Sequence, residues 1–197
     1  MNKPARLVVL ISGNGSNLQA LLDACARNEL PARVVSVISN KADAYGLVRA
    51  ADAGVEAVHF PKLPDETRQQ YDSRLADYVT IRLPDYIILA GWMRLLSTAF
   101  LGRFPNRVIN LHPALPGTFP GTHAIERAYD AWVRKEIDHT GVMVHLVPDE
   151  GVDDGPVLAT HEIFFQQEEP LEDFEARVHD VEHSLLVDTL RKVLKGK

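Results

Sequence analysis

The sequence predicts an α/β protein: a single domain with an open, mixed but mostly parallel sheet, flanked by helices in a Rossmann-like arrangement. Three observations carry this. Short apolar runs with β-branched members alternate with helix-spaced stripes through the first part of the chain. A glycine-rich turn, Gly13-Asn14-Gly15, joins the first run to the first stripe. The 197 residues suffice for one well-buried core and are short for two, so a single domain over residues 1–197 is expected.

Leu7 to Ile11 is continuously apolar, as in a strand buried on both faces. Leu18, Leu21, Leu22 and Cys25 then recur at helical spacing. Val34 to Ile38 reads as the second strand, and Tyr45 to Ala53 as a helix closed by Gly54. Val55 to Phe60 is the third strand, Pro61 to Asp65 a loop, and a polar helix runs from Glu66 to about Arg82. Tyr86 to Ala90 and Val108 to Leu111 are the fourth and fifth strands, and the alternation implies right-handed crossovers. Gly141 to Val147 and Val157 to Phe165, joined by an Asp/Gly-rich loop, predict an antiparallel or edge-like pair. Leu171, Phe174, Val178, Val181 and Leu185 form the stripe of a long closing helix.

The net charge of −6 argues against nucleic acid or an anionic membrane as partner. No stretch reaches membrane-spanning length, and Leu7 to Ile11 is too short for a signal-peptide core. Cys25 is the only cysteine, which fits a reducing cytoplasm; it falls on an apolar stripe and reads as packing.

The loops after strands one, four and five open on one sheet edge, where ligands of such sheets bind. Asn110 and His112 are two apart and share a face, while Leu111 turns to the core and Pro113 stops the strand. An amide donor beside an imidazole suits chemistry at a carbonyl. Ser12-Gly13-Asn14-Gly15-Ser16-Asn17 can bring N–H groups and a helix start to a single phosphate. It lacks the third glycine of a dinucleotide fingerprint and the lysine of a P-loop. Asp149 to Gly155 carries four acids, one of which could reach a histidine, raise its pKa and favour its charged form. His179 and His183, without a His-Glu-x-x-His pattern, read as a wet helix face and not as metal ligands. His145 reads as a structural mid-strand residue, and His123 as lying at a helix start.

Taken together, Ile11 to Ala20, Ser39-Asn40-Lys41-Ala42, Leu89 to Arg94, Asn110 to Pro113 and Asp153-Asp154-Gly155-Pro156 resemble the folate-dependent phosphoribosylglycinamide formyltransferases, over nearly the whole chain. The resemblance implies a formyltransferase fold and transfer of a formyl group from 10-formyltetrahydrofolate, a co-substrate, to the amine of glycinamide ribonucleotide in purine synthesis, with no metal. It implies Asn110, His112 and Asp153 as the catalytic group, with Asp153 keeping His112 charged and oriented. Gly15, Ser16, Asn17 and Glu182 would bind the ribonucleotide. Arg68, Met93, Arg94, Leu95, Leu96 and Asn110 would meet the folate. The ribonucleotide phosphate is thereby expected in the N-terminal half, folate binding and catalysis in the C-terminal half, in a monomer or homodimer.

Three departures stand out. Ala114-Leu115-Pro116-Gly117 replaces the usual sequence after His-Pro, the acidic loop is one residue longer, and His179 stands where a relative can have Gln. The rival readings are a formyltetrahydrofolate deformylase, whose relatives carry a domain ahead of this one, and a non-catalytic folate- or phosphate-binding module.

Overall fold

The computed structural model describes residues 3–196; Met1, Asn2 and Lys197, the ends of the expected domain, lie outside the described residues. The chain runs β1 (Ala5–Ile11), α1 (Ser16–Ala26), β2 (Ala32–Ser39), α2 (Tyr45–Asp52), β3 (Glu56–His59), α3 (Arg68–Thr80), β4 (Tyr86–Leu89), α4 (Thr98–Leu101), β5 (Val108–His112), α5 (Ala124–Val133), β6 (His139–Leu146), β7 (Val157–Phe164) and α6 (Leu171–Lys195). The seven strands form one sheet in the order β3-β2-β1-β4-β5-β6-β7. Strands β1 to β5 are parallel, whereas β5–β6 and β6–β7 pair antiparallel.

Alternation along β1 divides the core. Leu7, Val9 and Ile11 pack with Leu18 and Leu21 of α1 and Phe174, Val178 and Leu186 of α6. Val8 and Leu10 pack on the other face with Tyr71, Leu75 and Val79 of α3 and with Phe100. The last five residues of β1, Leu7 to Ile11, are fully buried, which is why they form an unbroken apolar run. Cys25 packs against the first cluster, and burial pushes its thiol pKa up, as suits a packing residue.

Several boundaries differ from expectation for identifiable reasons. Val55 closes α2 by donating to the Ala50 carbonyl, so β3 begins one residue later. Thr67 and Gln70 form a reciprocal capping box, which starts α3 at Arg68 rather than Glu66. α4 is a single turn with no long apolar stripe to announce it. α5 was foreshadowed only by a start near His123, which is its N-cap at φ 56°.

Strand order reverses about β1, whose neighbours are β2 and β4, and the loops beyond these strands are stitched at Ser12. Its N–H donates to Gly91 (3.0 Å), and its hydroxyl donates to Asn40 (2.6 Å) and accepts from the Met93 N–H (2.9 Å). The fold thus fastens the phosphate-loop candidate to the Met93 loop before either meets a ligand.

Candidate active site

β5 delivers Asn110 and His112 to one side and buries Leu111 in the core opposite, and the strand stops at His112 ahead of Pro113. Antiparallel pairing sets His145 of β6 directly across from Asn110. A register irregularity between Val144 and His145 lies beside the site, where such irregularities re-aim side chains. The acidic loop is pinched at Gly155: a Cβ there would lie 1.9 Å from the Leu146 carbonyl oxygen, so only glycine fits. Two residues earlier, Asp153 sits at φ 54°, an unusual backbone for a non-glycine residue.

These segments meet at one carboxylate. Asp153 Oδ1 accepts from Asn110 Nδ2 at 3.0 Å and Oδ2 from the Gly121 N–H at 2.9 Å. His112 Nδ1 lies 3.3 Å from Oδ2, and His145 Nε2 3.5 Å from Oδ1. Asp154 is exposed and turned toward Gly151. His145 donates from Nδ1 to the Leu146 carbonyl (2.8 Å), leaving Nε2 to accept from Asn110 Nδ2 (3.1 Å). It therefore fixes which way the Asn110 amide points, a role the sequence reading missed. Only knowledge that β6 pairs antiparallel to β5 in this register would have revealed it.

His112 is 4% exposed, and its Nε2 faces the Phe119 carbonyl at 3.1 Å. Both ring nitrogens meet acceptors, an arrangement that suits the doubly protonated ring. Burial pulls the other way and is the stronger influence, so the His112 pKa lies below the ordinary 6.5 despite Asp153. The expectation that Asp153 holds His112 charged is thereby corrected: the carboxylate acts in the expected direction, and desolvation exceeds it. Burial also pushes Asp153 up, but the Gly121 N–H and the attraction of the neighbouring His112 and His145 rings bring it below the usual value.

The loop that presents Phe119 and Gly121 follows the unusual Pro116-Gly117 segment. It turns through a Thr118-to-Leu115 hydrogen bond (3.0 Å) and is braced by Arg127, which donates to the Phe119 and Pro120 carbonyls. His123 lies outside this cluster, exposed and paired with Glu126 at 3.0 Å.

At the phosphate-loop candidate, Gly15 is the N-cap of α1 at φ 77°, with no side chain capping the helix and no acid in its first turn. The N–H groups of Ser16 and Asn17 thus open a helix start suited to an anion. α2 holds the loop from below. Gly46 donates its N–H to Gly13 (3.1 Å), and a Cβ on Gly15 would lie 2.7 Å from the Gly46 Cα. Arg49 donates to the Asn14 carbonyl (2.9 Å), the Asn14 side chain (3.0 Å) and Gln19 (3.2 Å). Glu182 is buried and accepts from His179 Nδ1 at 2.6 Å, and this bond raises the His179 pKa. His183 Nε2 is buried without a partner among the described residues, so this helix face is not simply wet.

Among the residues expected to meet the folate, Met93 and Leu95 are exposed. The Arg94 guanidinium lies 4.6 Å from the Tyr71 ring centre. Leu96 packs into the second core cluster, so what it can offer a ligand is backbone. Arg68 is ion-paired with Glu150. The structure thus brings Asn110, His112 and Asp153 into one cluster; of the other expected residues, Ser16 and Asn17 open α1, Arg68 opens α3, Met93 to Leu96 lie in the segment between β4 and α4, and Glu182 lies on α6.

The chain matches the formyl transferase family over residues 5–190. It is 43% identical to a phosphoribosylglycinamide formyltransferase of Dictyostelium discoideum, covering 94% of this chain and 96% of that protein. It is 40% identical to one of Escherichia coli, covering 91% and 82% respectively. Its structure resembles that of glycinamide ribonucleotide transformylase 1 from Symbiobacterium toebii, with a TM-score of 0.92 at 38% identity, covering 100% of this chain and 90% of that one.

Proposed function

The chain belongs to the formyl transferase family, and from that premise we propose that it transfers the formyl group of 10-formyltetrahydrofolate to the amine of glycinamide ribonucleotide, a step of purine synthesis. The observation that carries this reading is the convergence of Asn110, His112 and Asp153 on one partly buried carboxylate, 3.0 and 3.3 Å from its two neighbours.

The ribonucleotide phosphate sits on Gly15, Ser16 and Asn17, with Glu182 on the same ligand. The folate enters past Met93, Arg94, Leu95 and Leu96 with Arg68 at the mouth. The two ligands are served by segments from both halves of the chain, since Arg68 and Met93 to Leu96 precede the catalytic strand and Glu182 lies on the last helix. The amine attacks the formyl carbon, a C–N bond forms, and the carbonyl oxygen becomes an oxyanion. Asn110 Nδ2 donates to that oxygen, redirecting one of the amide N–H groups that otherwise point to Asp153 and His145. His112 gains its charge when it is needed: a developing oxyanion beside the ring favours the proton that burial disfavours at rest. The amine loses one proton, the oxyanion collapses back to a carbonyl as the bond from the formyl carbon to the folate nitrogen breaks, and that departing nitrogen gains one proton, relayed by Asp153 or a water it holds. This proceeds in the cytoplasm, in a monomer or homodimer, a setting supported by the lone unpaired Cys25.

The test is an assay with 10-formyltetrahydrofolate, with and without glycinamide ribonucleotide, following release of the unformylated folate. Release that depends on the ribonucleotide is expected. Equal release without it would make the protein a deformylase, and no release would leave a binding module.

A further inference from the structure

Arg68 belongs to the folate side of the proposed site, yet its guanidinium is engaged with Glu150, a residue of the loop that carries Asp153. That carboxylate has two separate anchors. Oε1 accepts from the Thr98 backbone N–H at 2.9 Å, and Oε2 faces Arg68 Nη2. The side chains of Arg68 and Glu150 are 41% and 34% exposed, and an ion pair so well solvated contributes little and exchanges readily. The Thr98 anchor is different in kind: a ligand anion competes for a guanidinium, not for a backbone N–H already taken. Arg68 has five donors in a planar fork, so it can pass from one carboxylate to another without losing its geometry.

Formyl folates end in a benzoyl-glutamate tail whose carboxylates are remote from the reacting carbon. We propose that Glu150 is a specificity-determining residue of the folate side: it occupies Arg68 in the free protein, and an incoming tail carboxylate displaces Oε2 while Oε1 keeps the Asp153 loop fastened to Thr98. This rests on the folate reading of the site given above. Only a ligand with a charged tail can complete the exchange, and a neutral one leaves the Arg68–Glu150 pair as it is. Its affinity is tempered by the charge of Glu150, which stays close to the guanidinium it has released.

The experiment compares the affinities of two non-reactive deazafolates, one with the glutamyl tail and one ending at a neutral benzamide, for the whole protein and its Glu150→Gln and Arg68→Ala variants. Glu150→Gln keeps an acceptor for Thr98 and removes the competing charge. It should tighten the tailed ligand by about threefold, leave the benzamide ligand unchanged, and show a smaller gain at high salt. Arg68→Ala should weaken the tailed ligand only and abolish the gain in the double variant. An equal change for both ligands in Glu150→Gln, or none, would overturn the proposal while leaving the folate site standing. If Arg68→Ala altered neither affinity, the exchange would fall together with the role of Arg68. If the unaltered protein bound neither ligand, the folate reading itself would fall.

Discussion

His112 lies 3.3 Å from Asp153 at the end of a central strand, and His179 lies 2.6 Å from Glu182 one turn apart on the closing helix. The chemical groups are the same, but their titration is displaced in opposite directions. His179 has a half-exposed side chain and a short hydrogen bond to its carboxylate, and its pKa is raised. His112 is buried, its carboxylate is further away and shared with Asn110, Gly121 and His145, and its pKa is lowered. A carboxylate neighbour therefore does not by itself make a histidine cationic. Water and the other claims on the carboxylate decide, and the pair that is poorer at holding a resting charge is the one that the proposed mechanism asks to gain it.

The comparison is broken most directly by deleting its members. His112→Ala or Asp153→Asn should lower turnover by at least about 10²-fold with both ligands still binding, whereas His179→Ala should cost turnover no more than about threefold. Steady-state kinetics and ligand titrations decide this, and equal losses at the two histidines would erase the distinction. Glu182→Gln should act on binding, raising the KM for the ribonucleotide about tenfold with a far smaller effect on kcat. A kcat effect larger than the KM effect would move Glu182 into the chemistry.

Imidazole NMR titration sharpens the contrast: His179 should titrate above 6.5 and His112 below it, and Glu182→Gln should bring His179 down. The linkage has opposite signs. The contribution of His179 to stability is complete below pH 6.5 and is lost as pH rises through its folded pKa. That of His112 is present above pH 6.5 and is lost as pH falls through its own. Unfolding midpoints of His179→Ala and His112→Ala relative to the unaltered protein should diverge accordingly between mildly acid and mildly alkaline buffers. The smallest effect is expected at Asn17, where Ala should raise the ribonucleotide KM by about threefold through the phosphate loop alone. An unchanged KM would remove Asn17 from that site.

What the sequence made legible is what local pattern can carry. Leu7 to Ile11 announces a strand buried on both faces, Gly15 a backbone turn, and Asn110 with His112 a shared face, because each depends on neighbours within a few residues. Transfer of the formyl group was legible through the joint order of motifs, and the family match agrees. What stayed hidden depends on pairings made across the chain. His145 reads as a core residue until β6 is laid antiparallel on β5, and Arg68 reads as free until the acidic loop brings Glu150 to it. The protonation balance at His112 was hidden for the same reason. The sequence shows a nearby acid, but only the packed fold shows how little water remains.

Asp153 is tied to Asn110 across 43 residues of chain and to Gly121 across 32, while Glu150 on the same loop reaches back 82 residues to Arg68. Loops that long close late, after the local helices and the hairpin of β6 and β7 can already have formed. The proposed catalytic cluster is thus among the last parts of the fold to be assembled. A chain with its helices in place and this one loop undocked would look nearly native by secondary structure and still lack an active centre, so recovery of turnover should trail recovery of helix during refolding.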